Sequence, residues 1–453
     1  MRFDKSTLFR MTVPMAFDLV SNSYTPDPGE GPPSHTPIYD FTPPLNLTKS
    51  LNFTSGQPFE ALKTMREAAP IAWHPMSGSA GFWALTSYDL VRQVNLDTTT
   101  FSSQKGGILA AYMDEARRHP LLHRASLDTM ICLDAPHHMQ LRREHMAWFT
   151  PGYVKRLRAR VETYVDGLMD DLAAAGPICD LVSIVSEKLP LFTLCEILGI
   201  PKADRPKIAA WMQMLEMAQN TLEQQELGDL DPAMIMTFMQ EVQALFDYGQ
   251  TILQDRRKNP QDDMLSAIAN AEIDGAKLPD EYLDGSWLLI VFAGNDTTRN
   301  SISGTMRLLT EFPEAKTALV ENPDLIAAMT HEAIRMVSPV MYMRRTATKH
   351  TELGGQKIAE GDKVIMFYGA ANRDPNLFPN PDSFDIHRSN AKDHLAFGIG
   401  PHVCLGQRVA NMQLDVVYRA ILARFPNITW TGEQEILPNS FTHSIGKLMV
   451  NLG

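Results

Sequence analysis

Cysteine is scarce in this chain of 453 residues, which contains only four: Cys132, Cys179, Cys195 and Cys404. None of them has the C-x-x-C spacing. The sequence therefore predicts neither a disulfide framework nor a structural zinc site, and a reducing cytoplasm is the expected location.

Long hydrophobic runs are also lacking. A transmembrane helix needs about 18 or more consecutive apolar residues, whereas the most apolar run, Trp287–Ala293, has seven. Near the N-terminus, Met11–Val20 is interrupted by Thr12, Pro14 and Asp18, which makes a poor signal-peptide core. We expect neither a membrane anchor nor export.

Positive charge is in deficit, with 41 Lys and Arg against 53 Asp and Glu and a net charge of −12. This balance argues against nucleic acid as a partner. Hydrophobic residues make up 44% of the chain, an ordinary globular proportion that allows a large core. Residues 1–46 are proline-rich and without regular period, and they are predicted to form an extended arm next to a folded domain at residues 47–453.

Apolar residues recur at helical spacing through most of residues 59–332, and the sequence therefore predicts a mainly α fold with small β-sheets. The predicted helices span residues 59–69, 138–148, 154–174, 183–197, 205–217, 232–257 and 279–311. Hairpins are predicted at residues 72–86 and 352–367, the second with turns at Gly354-Gly355 and Glu360-Gly361.

The helix predicted at residues 279–311 is the longest, at roughly 50 Å. Its middle changes from the apolar run Trp287–Ala293 to small and polar residues that include Asp296 and Thr297. Packing between helices is one explanation of such small residues. Polar groups beside an apolar run need partners when they are buried, however, and a Thr hydroxyl bonded to the carbonyl four residues back would loosen the helix and leave room for water or a ligand.

The most informative motif surrounds Cys404, in the sequence FGIGPHVCLG at residues 397–406. Its three glycines predict a tight loop in which backbone N–H groups approach the sulfur. A metal-bound thiolate needs such donors, because they temper its electron donation. A lone cysteine in a glycine-rich turn would be structural, but the full spacing F-x-x-G-x-H-x-C-x-G favours a metal ligand.

With this motif the chain resembles the cytochrome P450 family of haem-thiolate monooxygenases, from about Phe59 to its C-terminus. The resemblance implies the P450 fold, a single haem domain and haem b (iron protoporphyrin IX) as cofactor. It implies that Cys404 is the axial ligand of the haem iron and that His402 contacts a haem propionate. The other residues implied to lie against the haem are Ala293, Phe397, Gly398 and Gly406.

Further motifs agree with the resemblance. Glu332 and Arg335 match the family's E-x-x-R, and Arg388 supplies the second arginine of its buried triad, although E-x-x-R alone is commonly an exposed ion pair. Residues 134–143 are similar to D-P-P-x-H-x-x-x-R, with Ala135 replacing the first proline. This match implies two propionate partners, His138 and Arg142, and the segment Arg344-Arg-Thr-Ala implies a third, Arg345. Zinc at the histidines of residues 137–145 is not expected, because these histidines lack cysteine or acidic companions at ligand spacing.

The resemblance also assigns chemistry to the central helix. It implies that Thr297 hydrogen-bonds dioxygen and that Asp296 relays protons between the pocket and solvent. We therefore expect a monooxygenase that uses O2 to hydroxylate an unactivated C–H of a hydrophobic small molecule, such as an alkane, terpenoid or steroid. The residues expected to line the substrate pocket are Leu289, Phe292, Ala293, Val340, Met341 and Phe441.

Electrons are expected from a separate ferredoxin and its NAD(P)H-dependent reductase, as is usual in soluble members of the family. Residues 142–160 carry six basic side chains against Glu144 alone. Such a surface, with Arg143 and Arg156, would steer an acidic ferredoxin, although a solvated helix face would look the same. A monomer is expected.

Two alternatives remain open. A haem-thiolate isomerase, dehydratase or peroxygenase would not activate O2, and such family members commonly lack the acid-alcohol pair that Asp296 and Thr297 represent. A haem-binding sensor would have no use for a polar proton path.

Overall fold

A computed structural model describes residues 47, 50–76, 79–108, 120–224 and 231–453. The arm predicted at residues 1–46 lies outside these described residues. Within them, no helix combines the length and the apolar character that crossing a membrane requires.

Helices dominate the described part of the chain. They are α1 (Phe59–Ala68), α2 (Tyr88–Leu96), α3 (Pro120–Leu127), α4 (His137–His145), α5 (Pro151–Ala175), α6 (Lys188–Leu198), α7 (Arg205–Gln224), α8 (Pro232–Lys258), α9 (Met264–Asn270), α10 (Asp280–Ala293), α11 (Asp296–Glu311), α12 (Pro313–Glu321), α13 (Ile326–Val337), α14 (Tyr368–Ala371) and α15 (Gln407–Arg424).

The strands are short and form small sheets. They are β1 (Ile71–Met76), β2 (Ser79–Leu85), β3 (Phe101–Ser102), β4 (Ile178–Asp180), β5 (Glu272–Ile273), β6 (Ala276–Lys277), β7 (Tyr342–Ala347), β8 (Thr351–Leu353), β9 (Gln356–Ile358), β10 (Lys363–Phe367), β11 (Thr429–Leu437) and β12 (Ser444–Asn451). The larger sheet has the order β1-β2-β10-β7-β3, and a three-stranded sheet has the order β11-β12-β4. The prediction of a mainly α fold with small sheets is confirmed.

Both faces of the larger sheet are covered. On β2, Trp83 and Leu85 belong to one buried cluster, whereas Phe82 and Ala84 belong to another. Because successive side chains of a strand point to opposite faces, this alternation places apolar cores on both sides of the sheet. The largest core lies among the helices.

The prediction of a single helix at residues 279–311 is wrong in one respect. The structure divides this segment into α10 and α11, with the break at Gly294 and Asn295. The Thr297 hydroxyl donates to the Ala293 carbonyl at 3.2 Å. A side chain that takes a carbonyl four residues back competes with the helical ladder. The break thus falls where the sequence changes from apolar to polar residues.

The prediction of a hairpin at residues 352–367 is correct only for its first part. Only β8 and β9 pair with each other, through a turn in which Gly354 and Gly355 have φ values of 56° and 78°. Strand β10 instead joins β2 and β7 in the larger sheet. The hairpin predicted at residues 72–86 is confirmed as β1 and β2.

Several helices were not predicted, among them α15, which follows the cysteine loop. Its buried residues Val409, Met412, Val416 and Ile421 recur at helical spacing, so the signal was present in the sequence.

Candidate active site

The loop before α15 is held tightly by its own backbone. The Cys404 N–H donates to the Phe397 carbonyl, and the Gly398 N–H donates to the Leu395 carbonyl, both at 2.8 Å. Gly398 and Gly400 have φ values of 68° and 77°, a left-handed conformation that glycine adopts without strain. This fold of the loop sets the direction of the Cys404 side chain.

The Cys404 sulfur lies next to the N-terminus of α15, which begins at Gln407. Burial raises the pKa of the thiol, and the Gly406 N–H, the Arg142 guanidinium and the Gln407 N–H oppose this rise. The side chain is nevertheless exposed. An accessible sulfur close to N–H donors and a helix N-terminus is suited to bind a metal ion as a thiolate. A bound metal deprotonates the thiol, and the N–H groups stabilise the resulting negative charge.

Arg345, on β7, is a buried cation that forms no ion pair with a carboxylate of the described residues. Only 2% of its surface is exposed, and its Nη1 donates to the Arg344 carbonyl at 2.8 Å. Its Nε has no hydrogen-bond partner among the described residues, and burial lowers the pKa of the guanidinium. A buried charge in this state calls for an anionic ligand.

Two histidines stand in the same cluster. The rings of His138 and His402 stack with their centroids 4.0 Å apart. Burial, together with nearby arginines, lowers the pKa of His138 to about 4 and that of His402 to about 2. Arg142 is close by, with Nη2 donating to the Val403 carbonyl at 2.7 Å. The structure thus brings together the loop of Cys404 and the four predicted propionate partners.

These residues fit haem b. Its two propionates match a cluster that contains Arg142 and Arg345 and, among the described residues, no ion pair to either arginine. Its iron matches the accessible sulfur of Cys404. The buried unpaired Nε of Arg345 is the observation that favours an anionic cofactor at this place.

Asp296 and Thr297 lie in the first turn of α11, and both are half-buried. The Asp296 carboxylate accepts a hydrogen bond from Asn295 Nδ2 at 3.2 Å and lies 3.8 Å from Arg299 Nη2. Ala293, whose carbonyl accepts from Thr297, is exposed. An acid and an alcohol thus lie next to the break between α10 and α11.

The predicted pocket residues come from three segments. Leu289 and Phe292 are half-buried on α10. Val340 and Phe441 lie in segments joined by a hydrogen bond of 2.9 Å from the Met341 N–H to the Phe441 carbonyl. The Met341 side chain is 3% exposed and packs in the apolar cluster beside the sheet. Contact between Met341 and the substrate stays a prediction.

Glu332, Arg335 and Arg388 meet in a buried cluster. The Glu332 carboxylate accepts two hydrogen bonds from Arg335 at 2.8 Å and one from Arg388 Nε at 2.9 Å. Glu332 and Arg335 are both 0% exposed. Arg335 also donates to the carbonyls of Asn372 and Pro381, so the cluster ties α13 to the segment that precedes the cysteine loop.

The basic surface predicted at residues 142–160 is less charged than its sequence suggested. Arg158 pairs with Glu162 and with Asp415, and Arg160 pairs with Glu196. On this surface, the exposed cations that form no ion pair with a described residue are Arg143, Lys155, Arg156 and Arg408. Sequence analysis missed Arg408 because it belongs to α15 and reaches this surface only in the fold, where its Nη1 donates to the Phe149 carbonyl at 3.4 Å.

Comparisons with known proteins agree with this site. Residues 45–450 match the family described as Cytochrome P450. A methyl-branched lipid omega-hydroxylase of Mycobacterium tuberculosis is 35% identical over 86% of this chain and 90% of its own length. A linalool 8-monooxygenase of Pseudomonas putida is 32% identical over 88% and 97%. A solved cytochrome P450 of Mycobacterium marinum in complex with pseudoionone has a TM-score of 0.80 at 32% identity, covering 90% of this chain and 98% of that one.

The chain belongs to the cytochrome P450 family. It is a monooxygenase that hydroxylates hydrophobic substrates, and its cofactor is haem b, which the family binds through a cysteine thiolate. It receives its electrons from redox partners.

Proposed function

We propose that Cys404 ligates the haem iron and that the propionates are held by Arg142, Arg345, His138 and His402. Phe397, Gly398, Gly406 and Ala293 lie against the ring. When bound, haem supplies the activation of O2 that inserts one oxygen atom into a C–H bond. The buried Arg345 guanidinium, whose Nε has no hydrogen-bond partner among the described residues, is the observation that supports this assignment most strongly.

We further propose that Asp296 and Thr297 control proton delivery, because reduction of O2 consumes two protons for each oxygen atom inserted. The Thr297 hydroxyl already donates its hydrogen to the Ala293 carbonyl. Its oxygen is then left to accept a hydrogen bond, which holds a water molecule at the break between α10 and α11. The Asp296 carboxylate, steadied by Asn295 and Arg299, exchanges protons with solvent.

Thr297→Ala is expected to keep haem content and substrate affinity while lowering the product formed per NADH, because protons are then misdirected and peroxide is released. Asp296→Asn should instead slow the whole cycle by roughly 10²-fold, within the range for a positioned acid-base group. Product, peroxide and NADH consumption measured together distinguish the two effects.

Thr298→Ala, one position along the same helix, serves as the control and should stay coupled. A fully coupled Thr297→Ala enzyme would contradict the role proposed for this threonine.

We infer that the substrate is an aliphatic hydrophobic molecule of the alkane, terpenoid or steroid type. The half-buried Leu289, Phe292, Val340 and Phe441 offer an apolar lining. The relatives that act on a methyl-branched lipid and on linalool support the same class. Spectral shifts of the haem on titration with fatty alkanes, monoterpenes and steroids test the proposal, and an absence of shifts across all three classes would refute it.

We propose a ferredoxin, reduced by an NAD(P)H-dependent reductase, as the electron donor of a monomeric enzyme in the cytoplasm. Arg143, Lys155, Arg156 and Arg408 form the exposed cationic surface that supports this choice. Arg142, which donates to the Val403 carbonyl, connects this surface to the cysteine loop.

Reversing the charges of Arg143 and Arg156 to Glu should weaken turnover supported by ferredoxin, most clearly at low salt, because exposed charges are screened beyond about 10 Å at 0.1 M. Peroxide-driven turnover should be spared. Lys357→Glu, at an exposed position of β9, is the control. Equal losses in the two assays would indicate misfolding and remove the docking proposal.

A further inference from the structure

Methionine is frequent in this chain, with 25 residues, and most of the methionine side chains that the structure describes are buried or half-buried. Four of them are exposed instead: Met139 and Met146 at 41% and 48%, and Met234 and Met236 at 57% and 45%. The first pair lies on α4 and directly after it, and the second pair lies in the first turns of α8. An exposed thioether is open to oxidants that a packed core keeps away.

Helix α4 explains why Met139 and Met146 share one surface. Its buried side chains recur at helical spacing: His138, Leu141 and His145. Met139, Arg143 and Met146 stand four and three residues apart on the exposed side. Met146 keeps a right-handed helical conformation, with φ −60° and ψ −27°, although a 3₁₀ turn begins there. The two thioethers therefore lie on either side of Arg143 along the helix.

This exposed stripe lies within the cationic surface proposed above to bind ferredoxin. The cations of that surface are Arg143, Lys155, Arg156 and Arg408. The turn that begins at Met146 ends at Phe149, whose carbonyl accepts the hydrogen bond from Arg408. Methionine and arginine are both enriched in protein interfaces, where apolar contacts stand among polar and charged ones. The cations complement an acidic ferredoxin, and the two methionines supply the apolar contact.

We propose that Met139 and Met146 are a modification site at which hydrogen peroxide weakens the binding of ferredoxin. Each thioether sulfur attacks one peroxide oxygen, the O–O bond breaks, and a sulfoxide and water are formed. The sulfur loses two electrons, which reduce the peroxide. Peroxide is the product of O2 reduction that is not coupled to hydroxylation, so a poorly coupled enzyme limits its own electron supply. The inference rests on the ferredoxin surface proposed for Arg143 and Arg156.

The sulfoxide weakens the contact because it turns a flexible apolar side chain into a polar one. Its oxygen loses hydrogen bonds to water when a partner covers it, and this desolvation opposes binding. Salt screens the attraction between exposed charges but not this effect. The loss of ferredoxin affinity is therefore expected at high salt as well as at low salt, unlike the loss that follows charge reversal.

Peptide masses measure the modification directly. The holoenzyme is treated with graded hydrogen peroxide, and doses that leave its haem content unchanged are analysed. We expect Met139 and Met146 to gain one oxygen atom each, and the buried Met65, which is 0% exposed, to gain none. Met234 and Met236 are the exposed reference. Oxidation of this reference pair with Met139 and Met146 unmodified would overturn the proposal, as would their resistance at every dose that spares the haem.

The ferredoxin concentration that gives half-maximal turnover measures the consequence, because it does not depend on how much active enzyme survives. After peroxide treatment and removal of peroxide by catalase, it should rise about tenfold, the effect of losing a moderately strong interface contact. Met139→Gln with Met146→Gln imitates the sulfoxides and should give the same rise without peroxide. Met234→Gln with Met236→Gln is the matched control and should give none.

Met139→Leu with Met146→Leu keeps the apolar contact but has no sulfur to oxidise. Its half-maximal ferredoxin concentration should be the same before and after peroxide treatment. A tenfold rise in this variant would assign the loss to another group and overturn the proposal. Methionine sulfoxide reductase should restore the affinity of the oxidised enzyme, since this modification is reversible, and a loss that it does not reverse would also count against the site.

Charge reversal at Arg143 and Arg156, assayed in parallel, separates this inference from the docking proposal. If charge reversal weakens ferredoxin-supported turnover while Met139→Gln with Met146→Gln does not, only the role of the methionines fails. If neither pair of substitutions changes the half-maximal concentration, ferredoxin binds elsewhere and both proposals fail.

Discussion

Cys404→Ser is expected to abolish both the thiolate-type haem spectrum and all monooxygenase activity. The Gly406 and Gln407 N–H groups and the Arg142 guanidinium are placed to stabilise negative charge on the sulfur. A serine hydroxyl stays neutral and is a poor iron ligand, so these donors would have no anion to stabilise. The carbon monoxide difference spectrum of the reduced protein, with haem content and product formation, measures the effect.

Cys179→Ser provides the matched control. Cys179 is buried on β4, in the sheet that β4 forms with β11 and β12. This variant should keep the thiolate-type spectrum. If Cys404→Ser also kept it, the assignment of the iron ligand would be wrong.

Removal of the Glu332 carboxylate is expected to produce the largest loss of stability. Glu332→Ala leaves Arg335, which is 0% exposed, and Arg388 without their shared anion. Breaking a buried ion pair from one side typically costs about 3–5 kcal/mol, because the remaining charge stays desolvated. The carbonyls that also bind the two arginines accept hydrogen bonds but carry no net charge.

Urea unfolding followed by circular dichroism measures this loss, with haem retention as a second signal. Glu162→Ala is the control, since Glu162 pairs with Arg158 at an exposed position and Asp415 holds the same arginine. This control should unfold at nearly the same urea concentration as the unchanged protein. Equal midpoints for Glu332→Ala and the control would show that the cluster does not hold α13 in place.

The candidate site was predictable wherever its residues stand at fixed local spacing. Cys404 with its glycines, and Glu332 with Arg335, are recognisable because a loop or a helical turn fixes their geometry within a few residues. Helices such as α5 and α8 were predictable for the same reason, since an amphipathic period is a local property.

Other features depend on segments that are distant in the chain. Arg158 and Arg160 look like part of a basic surface in sequence, but Asp415 and Glu196 reach them in the fold. The side chain of Met341 is buried by packing beside the larger sheet, which its local sequence does not indicate. Local periodicity contains no information about which partner a side chain meets.

The sequence by itself determined the cysteine loop and the mainly helical architecture, because each rests on contacts between residues close in the chain, and its motifs carry the resemblance to the family. Only the tertiary structure decided where the central helix breaks and that Arg345 is buried with no carboxylate of the described residues paired to it. Burial and pairing arise when distant segments pack, and the balance of desolvation against new hydrogen bonds is set only there.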